Sequence, residues 1–193
     1  GITLAALVVY FIANIKMTTL TLPFLGVVSL GWFSLPITLI WILGITNAVN
    51  LIDGLDGLAT GVAIIALSTS ALTGYFFLNV TSTFISIMMA TLVAALLGFL
   101  PYNFHPAKIY LGDTGSLFIG FMISVFSLYG LKNATFITLI IPVIILGVPI
   151  TDTLYAILRR LLNKKPISQA DKHHLHHRLM QMGLTHRQTV LVI

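Results

Sequence analysis

The sequence predicts an all-α fold: a polytopic bundle of transmembrane helices with one short surface hairpin. Three observations lead there. Hydrophobic residues fill 58% of the 193 positions and charged residues only 8%, whereas a soluble domain carries about 25% charged residues. Mean hydropathy is +1.03. The apolar runs are long, close to the ~20 residues with which a helix crosses a hydrocarbon core. So few polar groups cannot cover a water-facing surface, and the solvent this chain expects is the lipid bilayer.

Taken in order, residues 1–13 read as the tail of one spanning helix. Residues 14–31 hold Lys16, the alternation Met17-Thr18-Thr19-Leu20-Thr21-Leu22, Pro23 and two glycines. Period-two alternation with β-branched residues predicts a hairpin at the membrane surface. Further spans are expected at 35–51, 58–78, 83–100 and 134–158, with a shorter one at 115–130. No internal repeat or low-complexity tract interrupts them. The chain opens on Gly1 within an apolar run and closes, at 189–193, on what reads as the start of another. A single membrane-embedded domain over 1–193 is therefore expected, truncated at its N-terminal side and also at its C-terminal side, with no signal peptide.

If the spans alternate, one side receives the loops at 53–57, 101–114 and 159–187. That side holds eight basic residues (Lys108, Arg159, Arg160, Lys164, Lys165, Lys172, Arg178, Arg187) against two, Lys16 and Lys132, on the other. The positive-inside rule makes the first side cytoplasmic. The net charge of +5 therefore reports topology and not a nucleic-acid partner. Cysteine is absent, which excludes disulfides and thiolate metal sites. Asn79-Val-Thr81 and Asn133-Ala-Thr135 match the glycosylation acceptor pattern on the outer side, a pattern too short to carry weight.

The carboxylates are informative. There is no Glu, and the five Asp (Asp53, Asp56, Asp113, Asp152 and Asp171) all fall on or near the predicted cytoplasmic face. An ionisable group at membrane depth costs about 2.5–3.5 kcal/mol, so it is seldom kept without a role. Their convergence on one side predicts one site, against the plain alternative that cytoplasmic loops collect whatever charge exists. In Asn47-Ala-Val-Asn50-Leu-Ile-Asp53-Gly-Leu-Asp56-Gly57, a helix continuing through Asp53 would bring Asp53 and Asp56 to one face, and Asn50 repeats the same step. Amides, carboxylates and flexible glycines suit a hard cation with phosphate ligands; an Asx/Gly-rich turn between two spans is the simpler reading. In Pro101-Tyr-Asn103-Phe-His105-Pro-Ala-Lys108-Ile-Tyr-Leu-Gly112-Asp113-Thr-Gly115-Ser116, Asp113 stands just before a helix. There it either caps the helix or holds Mg²⁺ beside a terminus that attracts phosphate. Lys108 offers a direct phosphate contact. The spacing is not that of a P-loop.

The tail holds Asp171-Lys-His173-His174-Leu-His176-His177-Arg178, with four of the six histidines within five residues. A His/Arg/Lys run facing the cytosol suits an anion such as a diphosphate. Zinc ligation and a solvated or headgroup-facing loop are the alternatives, and basic neighbours with no Cys weigh against zinc.

In order, the blocks NAVNLIDGLDGLATG (47–61), PYNFHPAKIYLGDTGSLFIG (101–120), PITDTLYAILRR (149–160) and ADKHHLHHRL (170–179) resemble the polyprenyl-phosphate N-acetylhexosamine-1-phosphate transferases, glycosyltransferase family 4. The tail pattern HLHHRL looks like the WecA/TagO branch, the undecaprenyl-phosphate GlcNAc-1-phosphate transferases. The resemblance covers nearly the whole chain. It implies a multi-pass enzyme of the bacterial cell membrane with a cytoplasmic active site. The implied donor is a UDP-N-acetylhexosamine, chiefly UDP-N-acetylglucosamine, and the implied acceptor is undecaprenyl phosphate. UMP is released at the first step of teichoic acid or surface polysaccharide synthesis. The implied cofactor is Mg²⁺, with Mn²⁺ as substitute; a homodimer is suggested by analogy alone. By motif, Asp53 and Asp56 are implied active-site carboxylates and Asp113 the metal ligand. His174, His176, His177 and Arg178 are implied contacts to the donor diphosphate, and Asn50 a nucleotide or metal contact.

The family also carries an adjacent-aspartate motif in an early loop, and no Asp-Asp pair occurs here. Truncation is the expected cause, which makes the 193 residues alone inactive. Two other readings stand beside this one. A phospho-MurNAc-pentapeptide transferase shares the chemistry with another donor. A cation or proton transporter would use intramembrane carboxylates and His, but near the midplane instead of at one face.

Overall fold

The computed structural model describes residues 1–22, 26–77, 81–130 and 179–192, with isolated positions 147, 151, 155, 158 and 162. Helix α1 (Ile2–Phe11) leads into an antiparallel hairpin of β1 (Thr19–Leu22) and β2 (Gly26–Ser29), then a 3₁₀ turn at Gly31–Phe33. Helices α2 (Ser34–Ile52), α3 (Leu58–Phe77), α4 (Thr81–Asn103) and α5 (Gly112–Gly130) follow, and α6 (His186–Val192) lies near the end. Four segments, Gly31–Ile52, Leu58–Phe76, Thr83–Asn103 and Gly112–Tyr129, are long and apolar enough to cross a membrane. The chain is a multi-pass membrane protein with the expected all-α architecture. Most of the predicted span at 134–158, the acceptor residues Asn79 and Asn133, Asp152, Asp171 and the His/Arg tail lie outside the described residues.

The hairpin forms where the Thr/Leu alternation placed it, in the register Thr19↔Ser29 to Leu22↔Gly26. Its entry is pinned to α2. The Met17 N–H donates to Thr38 Oγ1 at 3.1 Å, and that hydroxyl donates to the Ser34 carbonyl at 2.6 Å. Met17 also joins Ala6, Ile42 and Leu128 in a small buried cluster at this end of the bundle.

The spanning helices pair as antiparallel neighbours through small residues, which let backbones approach closely inside a membrane. A Cβ on Gly120 of α5 would stand 2.9 Å from Thr46 Cα of α2. Nearer the hairpin, Trp41 Nε1 of α2 donates to Ser127 Oγ of α5 at 2.9 Å. Between α3 and α4, a Cβ on Gly74 would meet Ser86 Oγ at 2.7 Å. At the opposite end of that pair, Thr60 Oγ1 donates to Asn103 Oδ1 at 2.7 Å. The core between them is aliphatic, with Val49, Leu58, Leu67, Leu96 and Ile119 all buried. The outer face of α4 exposes Phe84, Ile87, Met88 and Leu97. Hydrocarbon solvates such a stripe, whereas water would not.

Two of the boundaries that differ from expectation bear on the carboxylates. Helix α2 stops at Ile52: Asp53 is its C-cap with φ −73° and ψ 42°, so the helical face proposed for Asp53 and Asp56 does not exist. At the other, α5 begins at Gly112, three residues earlier than expected, so Asp113 lies inside its first turn and the segment is of full spanning length. Gly112 enters at φ +61°, a conformation that glycine adopts freely. The sequence signal there was a glycine either side of Asp113, read as loop.

Candidate active site

Helices α2 and α5 end and begin at the same side of the bundle, which brings Asn50, Asp53, Asp113 and Ser116 together. Asn50 Nδ2 donates to Asp113 Oδ1 at 3.2 Å and to Ser116 Oγ at 2.8 Å. Ser116 in turn donates to the Gly112 carbonyl at 2.9 Å. A carboxylate only accepts, so the Asn50 amide nitrogen must face Asp113, which leaves its carbonyl oxygen for another partner. The bond found for Asp113 thus runs to the neighbouring helix and not to a free N–H of its own helix, so capping is not the role the geometry favours. Burial, and after it the negative charge of Asp113, push the Asp53 carboxyl up to about 6. A half-buried carboxyl raised by burial and by a neighbouring carboxylate favours a proton or a cation.

Asp56 has the opposite environment. Its Oδ2 is 2.9 Å from His105 Nδ1 and accepts the Ala107 N–H at 3.1 Å. Its own N–H donates to His186 Nε2 at 3.1 Å. Burial alone would raise this carboxyl, but the Ala107 N–H, the His105 bond and the two neighbouring imidazoles outweigh it and hold it below the usual range. Accepting at Nε2 places the His186 proton on Nδ1. The two imidazoles stack with centroids 4.2 Å apart and planes 15° from parallel.

Asp56, His105 and His186 offer ligand atoms within 4.8 Å of one another. Stacked rings, however, send their in-plane lone pairs side by side, and His186 Nε2 is already used. The cluster is a clamp, closing the α2–α3 turn and the α4–α5 loop onto the start of α6. Gly57 completes it. At φ +81° it sits under Phe104, whose Cδ2 would be 2.9 Å from a Cβ there.

The clamp fixes its surroundings through the backbone. Asn103, 2% exposed, donates through Nδ2 to the Ile109 carbonyl at 3.0 Å. The Lys108 and Ile109 N–H groups both reach the Tyr102 carbonyl, at 2.7 and 3.1 Å. On the other side, Thr185 and Gln188 form a reciprocal capping box: Gln188 N–H donates to Thr185 Oγ1 at 3.3 Å and Thr185 N–H to Gln188 Oε1 at 2.9 Å. Such a box satisfies N–H groups that the helix leaves free. It sets His186 and Arg187 in the first turn of α6, and Arg187 Nε donates to the His105 carbonyl at 3.1 Å. Lys108 lines an open cleft of about 570 Å³ with Leu100, Pro101, Phe104, His105, Pro106 and Arg187.

Of the residues expected at the site, Asn50, Asp53 and Asp113 come together, Asp56 turns to the clamp, and Lys108 lines the cleft. His174, His176, His177 and Arg178 lie outside the described residues. Sequence reasoning passed over His105, His186, Ser116 and Arg187. The Thr185-x-x-Gln188 pattern was a legible helix start that would have drawn attention to His186 and Arg187.

Residues 1–131 match the model of Glycosyl transferase family 4. A Bacillus subtilis protein described as a "Probable undecaprenyl-phosphate N-acetylglucosaminyl 1-phosphate transferase" is 56% identical over 182 residues, covering 93% of this chain and 50% of its own length. A decaprenyl-phosphate N-acetylglucosaminephosphotransferase of Mycobacterium tuberculosis is 37% identical over 177 residues, 83% of this chain and 44% of its own length. A phospho-N-acetylmuramoyl-pentapeptide-transferase of a Thermoanaerobacter species is 46% identical over 118 residues, which is 61% of this chain and 36% of that protein. The chain spans about half the length of the first two of these curated relatives. With the family model matched over more than half of its residues and the carboxylates that the resemblance singled out gathered at one end of its apolar helices, this chain belongs to glycosyltransferase family 4.

Proposed function

We propose that the protein transfers N-acetylglucosamine 1-phosphate from UDP-N-acetylglucosamine to undecaprenyl phosphate in the bacterial cell membrane and releases UMP. The observation that carries this reading is the Asn50–Asp113–Asp53 cluster at one end of spanning helices, in a chain 56% identical to the Bacillus protein. The excess of Lys and Arg on the loops at that end supports a cytoplasmic site.

The donor set fits a divalent cation. It holds two carboxylates, an amide carbonyl left open and a hydroxyl, all oxygens, and Asp53 is raised by burial and Asp113, a strain that a cation relieves. Hard oxygen ligands suit Mg²⁺ or Mn²⁺. Asp113 and Asp53 would hold the ion, with Asn50 orienting Asp113. When bound, it supplies Lewis-acid polarisation and charge neutralisation at the diphosphate.

Transfer forms a bond from an acceptor phosphate oxygen to the donor β-phosphorus and breaks the bond to the bridging oxygen, whose electron pair leaves with UMP. Little covalent chemistry falls to the protein, which positions and neutralises. Asn50 and Ser116 hold Asp113 in place, and Asp53 is ionised near pH 7 and ready to balance a cation. His174, His176, His177 and Arg178 are assigned to the donor diphosphate, on chemistry and family motif.

The test uses the complete gene product in detergent with undecaprenyl phosphate and Mg²⁺, following UMP. Release with UDP-N-acetylglucosamine and none with UDP-MurNAc-pentapeptide is the expected result. Release only with the second moves the protein to the muramoyl branch, and release with neither from folded protein overturns the transferase reading.

A further inference from the structure

One feature at the site end is used neither by the carboxylate pair nor by the clamp: the cleft of about 570 Å³ between the end of α4 and the start of α6. We propose that this cleft holds the phosphate and the first isoprene units of the acceptor lipid, with Lys108 and Arg187 on the phosphate and Leu100, Pro101 and Phe104 against the chain. The proposal rests on the transferase reading and deepens it, by assigning the acceptor a place.

The lining divides by chemistry. Leu100, Pro101 and Phe104 are its apolar lining; Lys108 and Arg187 bring two cations, and His105 and Pro106 complete it. Among the described residues, the ion pair found is His105–Asp56, so neither cation has a carboxylate partner there. Arg187 is placed by its Nε bond to the His105 carbonyl and by the capping box behind it, which uses one of its five donors. A uridine needs hydrogen-bonding partners for its base, which this apolar lining lacks. An amphiphile with an anionic head and a hydrocarbon tail matches both halves.

Depth agrees with composition. Tyr102 and Tyr110, at the end of α4 and before α5, are exposed. Exposed tyrosines at a helix end mark the headgroup level of a membrane. A ligand there keeps its head at the water boundary while its tail leaves along the lipid-facing surface of α4. Charge selects among lipids. A phosphate monoester carries about −1.5 to −2 at neutral pH, which two cations balance, whereas a phospholipid diester carries a single charge. Connection to the site is through one contact: His105, which lines the cleft, bonds Asp56 in the same α2–α3 turn that begins at Asp53.

The experiment places the complete gene product in phosphatidylcholine nanodiscs and measures both binding and turnover. Lys108→Gln is the main variant, because the Lys108 backbone and not its side chain holds the loop; Arg187→Gln is the second and Lys108→Arg the rescue. The expected result is an undecaprenyl phosphate KM raised about tenfold for each Gln variant, the loss of one charge-assisted contact, with the KM for UDP-N-acetylglucosamine within about twofold and recovery in Lys108→Arg. Direct binding of undecaprenyl phosphate, read by native mass spectrometry, should fall in parallel and resist competition by phosphatidylglycerol. A rise in the donor KM instead makes the cleft a donor site and overturns the proposal. Unchanged lipid KM and binding in folded variants, or equal displacement by phosphatidylglycerol, also overturn it. Wild-type protein that binds the lipid, loses it on Lys108→Gln and yet transfers nothing would retain the lipid site and discard the transferase reading.

Discussion

Asp53 and Asp56 are three residues apart in one turn, yet they meet opposite surroundings. Asp53 is half-buried at the end of α2 and faces another carboxylate, and its pKa rises to about 6. Asp56 accepts from a backbone N–H, lies against two imidazoles and is lowered. The difference separates a carboxylate under electrostatic stress from one that is satisfied. A carboxylate left under electrostatic stress gains from a cation or a proton, whereas a satisfied one stabilises the fold. Sequence alone gave both the same standing.

The largest effect expected is on turnover. Asp113→Asn or Asp53→Asn should lower UMP release by at least about 10²–10³-fold, the scale of losing a central electrostatic stabiliser, with folded protein recovered in normal yield. The two aspartates of the turn should then part company in stability. In EDTA at pH 8, Asp53→Asn should raise the melting temperature, because it removes a poorly solvated charge beside Asp113. Asp56→Asn should lower stability by about 1.5–3 kcal/mol, as expected when hydrogen bonds to a charged group are lost. Equal shifts of one sign would dissolve the distinction.

The pH dependence has a definite sign. A folded pKa raised to about 6 means that Asp53 keeps its proton below that pH, so Mg²⁺ binding should weaken as pH falls through about 6. Without cation, the same shift favours the folded state in acid, and that contribution is lost as pH rises through about 6. Asp56, being lowered, acts in reverse: its contribution is full above the ordinary carboxylate pKa and is lost as pH falls through its depressed value. Metal titration and melting at a series of pH values check both.

Smaller effects probe the clamp itself. His186→Ala should loosen α6 from the α2–α3 turn, seen as faster hydrogen exchange over 54–57 and 186–192. Thr185→Ala removes the capping hydroxyl and should cost about 1 kcal/mol by denaturant titration, with turnover largely kept. If Thr185→Ala and Asp53→Asn depressed turnover equally, clamp and carboxylate pair would be one functional unit.

Much was legible beforehand. Apolar runs of spanning length, the Thr/Leu alternation and the absence of charge from the helix middles determined the membrane class, the hairpin and the order of the spans described, because each follows from local periodicity and transfer free energy. Asn50, Asp53 and Asp113 were singled out as candidates by residue type, spacing and family motif. Only the tertiary structure decided how they divide. Helix α2 ends at Ile52, and that one termination turns Asp56 away from Asp53 and onto His105 and His186, residues 49 and 130 positions further along the chain. Such contacts depend on where helix ends meet in space, which no local pattern encodes. The same holds for the cleft that Lys108 and Arg187 line, two cations brought together by packing and not by sequence spacing.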